Sequence, residues 1–298
     1  MNRKLRSVII LVLVACLVYG GSQLAIQMRS HQQAKASVEA ALAAAQKVQV
    51  VEDLPEEPVP LEPAPTVELS PPEPVEKEPV EEAPVEEEPQ VQPPAEAEPA
   101  DAPVVDLMAL DLEALRQTNP DVLGWITIPD TVISYPLMKA EDNQEYLYQT
   151  WDGKYSKYGS IFLECRNSHD LSDFNTLIYG HNMRTDEMFG TLLDYGEQRY
   201  FESHPSIYIV TDAGVRRYDV FSAYEAKVVS DTYRLIFEDD ARRQTALELY
   251  TGSSVLDTGI VPEVDDAILT LSTCTGRGTA DLRFVVQAVL AEEIARGE

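Results

Sequence analysis

Apolar and polar positions divide the chain into three stretches of different pattern. The first, Val8 to Gly20 (VIILVLVACLVYG), is a nearly unbroken apolar run. Leu24-Ala25-Ile26 extends it to about the 20 residues that a bilayer-spanning helix needs. Arg3, Lys4 and Arg6 precede it, a placement that predicts a cytoplasmic N-terminus and an exported remainder. Residues 1–27 are thus expected to be a cytoplasmic tip and a transmembrane anchor. Two other readings stay open: a cleaved signal peptide, and a lipoprotein box at Leu13-Val14-Ala15-Cys16, although apolar residues continue after that cysteine. All three export the rest of the chain.

Residues 28–50 are rich in Ala, Gln and Lys, which favours a short helical stalk by intrinsic propensity. Residues 51–105 then repeat units such as Glu-Pro-Val-Glu, with many prolines and almost no aromatic side chains. Such a stretch buries too little surface to offset its ordering entropy, so a disordered linker is expected. At roughly 3.1 Å per residue it would reach on the order of 150 Å as a tether.

From about residue 106 to 298 the pattern changes again. Short runs rich in Val, Ile, Tyr and Phe, bounded by Pro, Gly, Asp and Asn, predict strands. They cover Val122 to Ile128, Val132 to Leu137, Ser160 to Leu163, Thr176 to Tyr179, Ser206 to Val210, Arg216 to Ala226, Ala267 to Thr273 and Leu282 to Leu290. Helical spacing is visible at Asp111 to Arg116, Met188 to Tyr195 and Asp239 to Tyr250. The expectation is one mostly β domain with peripheral helices, its strands forming a single antiparallel sheet or barrel, and large enough for one core.

The formal charge is −28, and more than half of the imbalance falls in the Pro/Glu-rich stretch. The folded part is still acidic, which argues against a nucleic-acid partner. Three cysteines, Cys16, Cys165 and Cys274, cannot make a disulfide framework. Either Cys165 and Cys274 pair or rest as inert buried thiols, or one is kept for chemistry. Cys274 ends the strand Thr270-Leu271-Ser272-Thr273-Cys274, with Ser272 on its own face. A thiol of pKa about 8.5 needs a positive neighbour or a base. Arg283 opens the next strand and can lie beside it; Arg277, in the intervening turn, is the competitor. Among the four histidines, His181 follows a strand through Gly180, whereas His31, His169 and His204 lie in stalk, loop and turn. A thiol, a base and a fixed cation make a nucleophilic acyl-transfer site.

Taken together these segments resemble the sortase family, class B branch. Thr270 to Cys274 is similar to its TLxTC signature, Tyr179 to Met183 to its YGHNM segment, and Arg283 in LRFVV to its arginine. NPDVLGWITIP, ISYPL, GSIFLECRN and MFGTLLDY extend the resemblance over roughly Asp111 to Ala288.

The resemblance implies a closed eight-stranded sortase-type β-barrel and a membrane-held cysteine transpeptidase. In those terms Cys274 attacks a carbonyl in the sorting signal of an exported protein, and Arg283 steadies the oxyanion. His181 protonates the leaving amine. A peptidoglycan-precursor amine, or a pilin lysine, then resolves the thioester. Ser272, Thr273, Asn143, Leu147, Tyr179 and Tyr233 are implied to contact substrate, the last within a segment, Val229 to Phe237, that covers the groove. No cofactor is implied, and the histidines and cysteines lack metal-ligand spacing. Some class B members carry an acid just after the cysteine. Thr275-Gly276 stand there in this chain, so the group that orients His181 must come from elsewhere.

Two rival readings remain. A papain-like wall-peptide hydrolase would place its cysteine before its histidine and on a helix, the reverse of the order here. A non-catalytic anchored wall-binding domain would leave Cys274, His181 and Arg283 without a role.

Overall fold

The structure is a computed structural model that describes residues 3–46, 107–276 and 281–296. The expected linker at 51–105 and the competitor Arg277 lie outside the described residues. Among the described residues eight strands form: β1 (Val122–Thr127), β2 (Ser134–Met138), β3 (Ile161–Leu163), β4 (Asn175–Tyr179), β5 (Ser206–Thr211), β6 (Gly214–Lys227), β7 (Ile268–Cys274) and β8 (Leu282–Ala295). They close into a barrel in the order β1-β2-β3-β4-β7-β8-β6-β5, with β5 pairing back to β1.

The expectation of a wholly antiparallel sheet is corrected at two seams: β2 with β3, and β4 with β7, run parallel. Parallel neighbours need a long crossover rather than a hairpin, and both seams have one. Residues 139–160 separate the first pair, and β5 and β6 intervene in the second.

Strand alternation splits the apolar residues between the barrel interior and its outer coverings. Ile126, Leu137, Ile178, Leu271 and Val286 belong to the principal core. Trp125, Tyr208 and Val210 pack beneath N-terminal helical residues. Phe221, Tyr224 and Val285 lie against Ala246, Leu247 and Tyr250.

Helix α1 (Arg3–Ala45) is continuous, followed by α2 (Leu112–Arg116), α3 (Gln198–Ser203) and α4 (Asp240–Ser253). Asp111 caps α2 by accepting from the Ala114 N–H at 3.0 Å, and Asp239 caps α4 through the Arg242 N–H at 2.9 Å. The helix expected at Met188 to Tyr195 is instead a 3-10 segment, Gly190–Gly196. Met188 holds a φ of 56°, a left-handed conformation that no α-helix can carry through.

The expected stalk is part of α1 and packs on the barrel. Ala34, Ser37, Ala41 and Ala45 are buried at helical spacing, and the indole N–H of Trp151 donates to the Ser37 carbonyl at 2.7 Å. Small side chains on one face let the helix backbone come close enough for that bond. Among the described residues no helix is long and apolar enough to cross a membrane; side chains of residues 3–15, 17 and 18 are outside the description.

Candidate active site

Parallel pairing of β4 with β7 sets Tyr179 opposite Ser272. Cys274 lies two residues further along β7 and His181 two residues past Tyr179, just beyond the end of β4, so equal steps from one register pair bring imidazole and thiol to the same end of the barrel. The antiparallel partner β8 begins at that end, with Arg283 directly across from Cys274. Three strand ends therefore meet, two finishing and one starting, and each contributes one candidate side chain.

All three line a cleft of about 330 Å³, whose other walls include Asn143, Leu147, Tyr179, Tyr233, Ser272 and Thr273. Every substrate-contact residue expected from the sequence thus borders this one cleft. A larger cleft of about 670 Å³, lined by Arg116, Lys139 and Glu141 among others, holds none of the three candidates. Cys274 is exposed, and Cys16, Cys165 and Cys274 are all free thiols, which removes the Cys165–Cys274 bridge.

The turn after His181 is tightly specified. A Cβ at Gly180 would meet the Phe189 ring at 2.7 Å, so only glycine lets that ring pack under the strand end. The Phe189 N–H donates to the His181 carbonyl at 3.0 Å, and Asn182 bridges to Met188. The Asn182 amide also donates to the Cys274 carbonyl at 2.7 Å, tying the histidine turn to the cysteine strand.

His181 Nε2 lies 2.8 Å from the Leu147 carbonyl oxygen. A carbonyl only accepts, so Nε2 carries a proton and Nδ1 is the nitrogen that can take up or release one. A backbone carbonyl thus does the orienting work that a carboxylate does in other nucleophile-base pairs. Thr275, the residue after Cys274, is buried.

Behind the cleft stands a residue the sequence reading passed over. Glu164 is almost fully buried and accepts from the Asn143 amide at 2.7 Å, the Tyr179 hydroxyl at 3.0 Å and Arg166 Nε at 2.7 Å. Burial pushes its carboxyl up, but these three donors outweigh that and hold its pKa below the ordinary carboxylate value. The Asn143 side-chain oxygen meanwhile accepts from the Cys165 N–H at 2.8 Å. Asn143 and Tyr179 are braces of the cleft wall, their polar groups already engaged. An acid inside the apolar run IFLEC was the signal for Glu164.

On the opposite wall the Tyr233 hydroxyl lies 2.9 Å from Ser272 Oγ. Burial raises the Tyr233 pKa, so the ring stays neutral. Tyr233 closes the short 3-10 turn Asp231–Tyr233 and is the residue of Val229 to Phe237 that borders the cleft. Among the described residues no cluster of three or more His, Cys, Asp and Glu could hold a metal ion.

The fold is thus a closed barrel that brings a cysteine, a histidine and an arginine to one cleft at converging strand ends. The family model for the Sortase domain matches residues 126–291. Sortase B of Staphylococcus aureus is 34% identical over 162 residues, covering 54% of this chain and 66% of that protein. Sortase B of Listeria monocytogenes is 33% identical over 179 residues, covering 59% and 72%. The structure of the S. aureus sortase B–substrate complex superposes with a TM-score of 0.58 at 32% identity, over 61% of this chain and 84% of that one. The chain belongs to the sortase family, on its class B branch.

Proposed function

We propose that this protein is a membrane-anchored cysteine transpeptidase that cleaves a C-terminal sorting signal of exported proteins and passes them to an amine of the cell-wall peptide. The carrying observation is the convergence of Cys274, His181 and Arg283 on one cleft through the β4, β7 and β8 strand ends. The Cys274 thiol passes its proton to His181 Nδ1 as its sulfur adds to the scissile carbonyl, and the Arg283 guanidinium donates to the oxyanion that forms. His181 Nδ1 delivers a proton to the departing amine as the C–N bond breaks and the thioester remains. An incoming amine then gives its proton to His181, forms a new amide and releases the thiol. The thioester conserves the energy of the cleaved bond, so no nucleotide is consumed.

The anchor reading rests on Arg3, Lys4 and Arg6 ahead of the apolar run. Further along α1, Tyr19, Leu24, Ile26 and Met28 are exposed, as suits side chains in contact with lipid. On this reading the N-terminus is cytoplasmic and the barrel lies outside the cell.

The test is to incubate the full chain in detergent with a library of sorting-signal peptides, together with either a wall-bridge peptide or a pilin-type lysine peptide. Mass spectrometry then reads the products. Amide exchange onto the wall-bridge amine is expected. Transfer only to the lysine peptide would redirect the acceptor, and hydrolysis without transfer would sink the transpeptidase reading.

A further inference from the structure

His181 has two structural supports, and α1 touches both. The first is the turn just after it, closed by the Phe189-to-His181 hydrogen bond. Glu187 lies in that turn with its side chain 14% exposed. Its carboxylate takes a hydrogen bond from Thr185 and sits 3.1 Å from His31 Nδ1 and 3.9 Å from Lys35 Nζ, both on α1.

The second support is the Leu147 carbonyl that receives the His181 N–H. It is packed against Gly159, which has a φ of 57° and where a Cβ would fall 2.7 Å from that oxygen. Tyr158, the preceding residue, places its hydroxyl 3.1 Å from the same His31 Nδ1. One imidazole on α1 therefore bridges the two segments that fix the catalytic histidine.

The helix is well seated for this. Besides the Trp151 bond, Ser37 Oγ donates to Asp152 at 3.2 Å, and the Asp111 N–H donates to the Ala45 carbonyl at 2.9 Å. That last bond holds together the two points between which the Pro/Glu-rich stretch runs.

We infer that His31 and Lys35 are positioning residues for His181, so that α1 is part of the catalytic unit although some 60 residues of low-complexity sequence separate it from the barrel domain. The inference rests on the transpeptidase reading, yet two of its readouts need no turnover. A specific protease site is inserted within residues 47–106 of the full chain, and the protein is cut in detergent. The two pieces are expected to stay together on size exclusion, with peptide transfer within about 2-fold of the uncut chain.

In the uncut protein, His31→Ala with Lys35→Ala should lower kcat by about 10-fold or more while leaving KM for the sorting peptide within about 2-fold, the pattern of a misplaced catalytic group. Amide exchange at 182–189 should rise in the same variant. His31→Asn, which keeps a donor near the position of Nδ1, should recover most of kcat. Ala41→Trp, which unseats the helix, should reproduce the loss and let the cut pieces separate. Pieces that part on cutting with exchange at 182–189 unchanged would overturn the inference, as would unchanged exchange in the double variant. A wild-type chain inactive on every peptide and amine would instead sink the transpeptidase reading, leaving co-elution and exchange to decide the role of α1.

Discussion

Cys274 and Arg283 are direct partners across the antiparallel β7–β8 pair, one at the last residue of its strand and the other at the second residue of the next. That register sets the spacing between thiol and guanidinium through the backbone ladder. The ladder should therefore tolerate changes in either side chain. Cys274→Ala is expected to fold with wild-type Tm and to abolish cleavage and transfer. Arg283→Lys keeps the charge but not the planar fork, so kcat should drop about 10²-fold. An Arg283→Lys enzyme with undiminished kcat would remove the oxyanion role from this residue.

The Leu147 carbonyl orients His181, and Gly159 leaves room for it. A methyl group at residue 159 would fall 2.4 Å from the Tyr146 carbonyl oxygen as well as against Leu147, and the positive φ adds its own strain. Gly159→Ala should cost about 1–3 kcal/mol of stability. It should also lower kcat by more than His31→Asn does, because the bond to His181 is displaced directly. Steady-state kinetics on the folded fraction, determined by near-UV circular dichroism, checks this. A folded Gly159→Ala enzyme with normal kcat would mean that the carbonyl is dispensable.

Tyr233 and Ser272 close the other wall through one hydroxyl pair. Tyr233→Phe removes that bond while keeping the ring, and a neutral hydrogen bond contributes about 1 kcal/mol. The expected result is a KM for the sorting peptide raised by about 2- to 5-fold with kcat little changed. Ser272→Ala should behave alike, and the double variant should cost no more than either single change. Additive losses would show that the two hydroxyls act separately on substrate.

The barrel strands were legible because each is a β-branched and aromatic run between turn residues, and all eight appear within two residues of their expected bounds except at the end of β8, which runs five residues further. His181, Cys274 and Arg283 were legible because they sit at strand ends, where a local pattern is enough to place a residue. What escaped was carried by contacts distant in sequence. Parallel pairing of β4 with β7 links segments more than 90 residues apart, and nothing in either strand announces its partner's direction. Leu147 was singled out for its side chain, but its carbonyl does the orienting, and a main-chain role leaves no mark on residue type. The docking of α1 escaped for a related reason. Its small-residue face reads as high helix propensity, and contacts distant in sequence, those to Trp151 and Glu187 among them, reveal it as an interface.

Glu164 offers the last test, because its contribution carries a sign in pH. Its carboxylate holds Asn143, Tyr179 and Arg166 together behind the cleft, and its folded pKa is depressed. Folding therefore favours its ionised form. The stabilisation is fully present above the unfolded value of about 4.3 and is lost as pH falls through the lower folded value. At pH 7, Glu164→Gln leaves one of those donors facing an amide N–H and should destabilise the protein by about 1–3 kcal/mol, seen as a fall in Tm of a few degrees. As pH is lowered below about 4, the wild-type Tm should drop toward that of the variant, since a protonated Glu164 has lost the advantage that Gln lacks. The gap in Tm should thus narrow in acid. A gap that stays constant from pH 7 to pH 3 would show that Glu164 braces the wall by shape alone, and that its charge is irrelevant to the cleft.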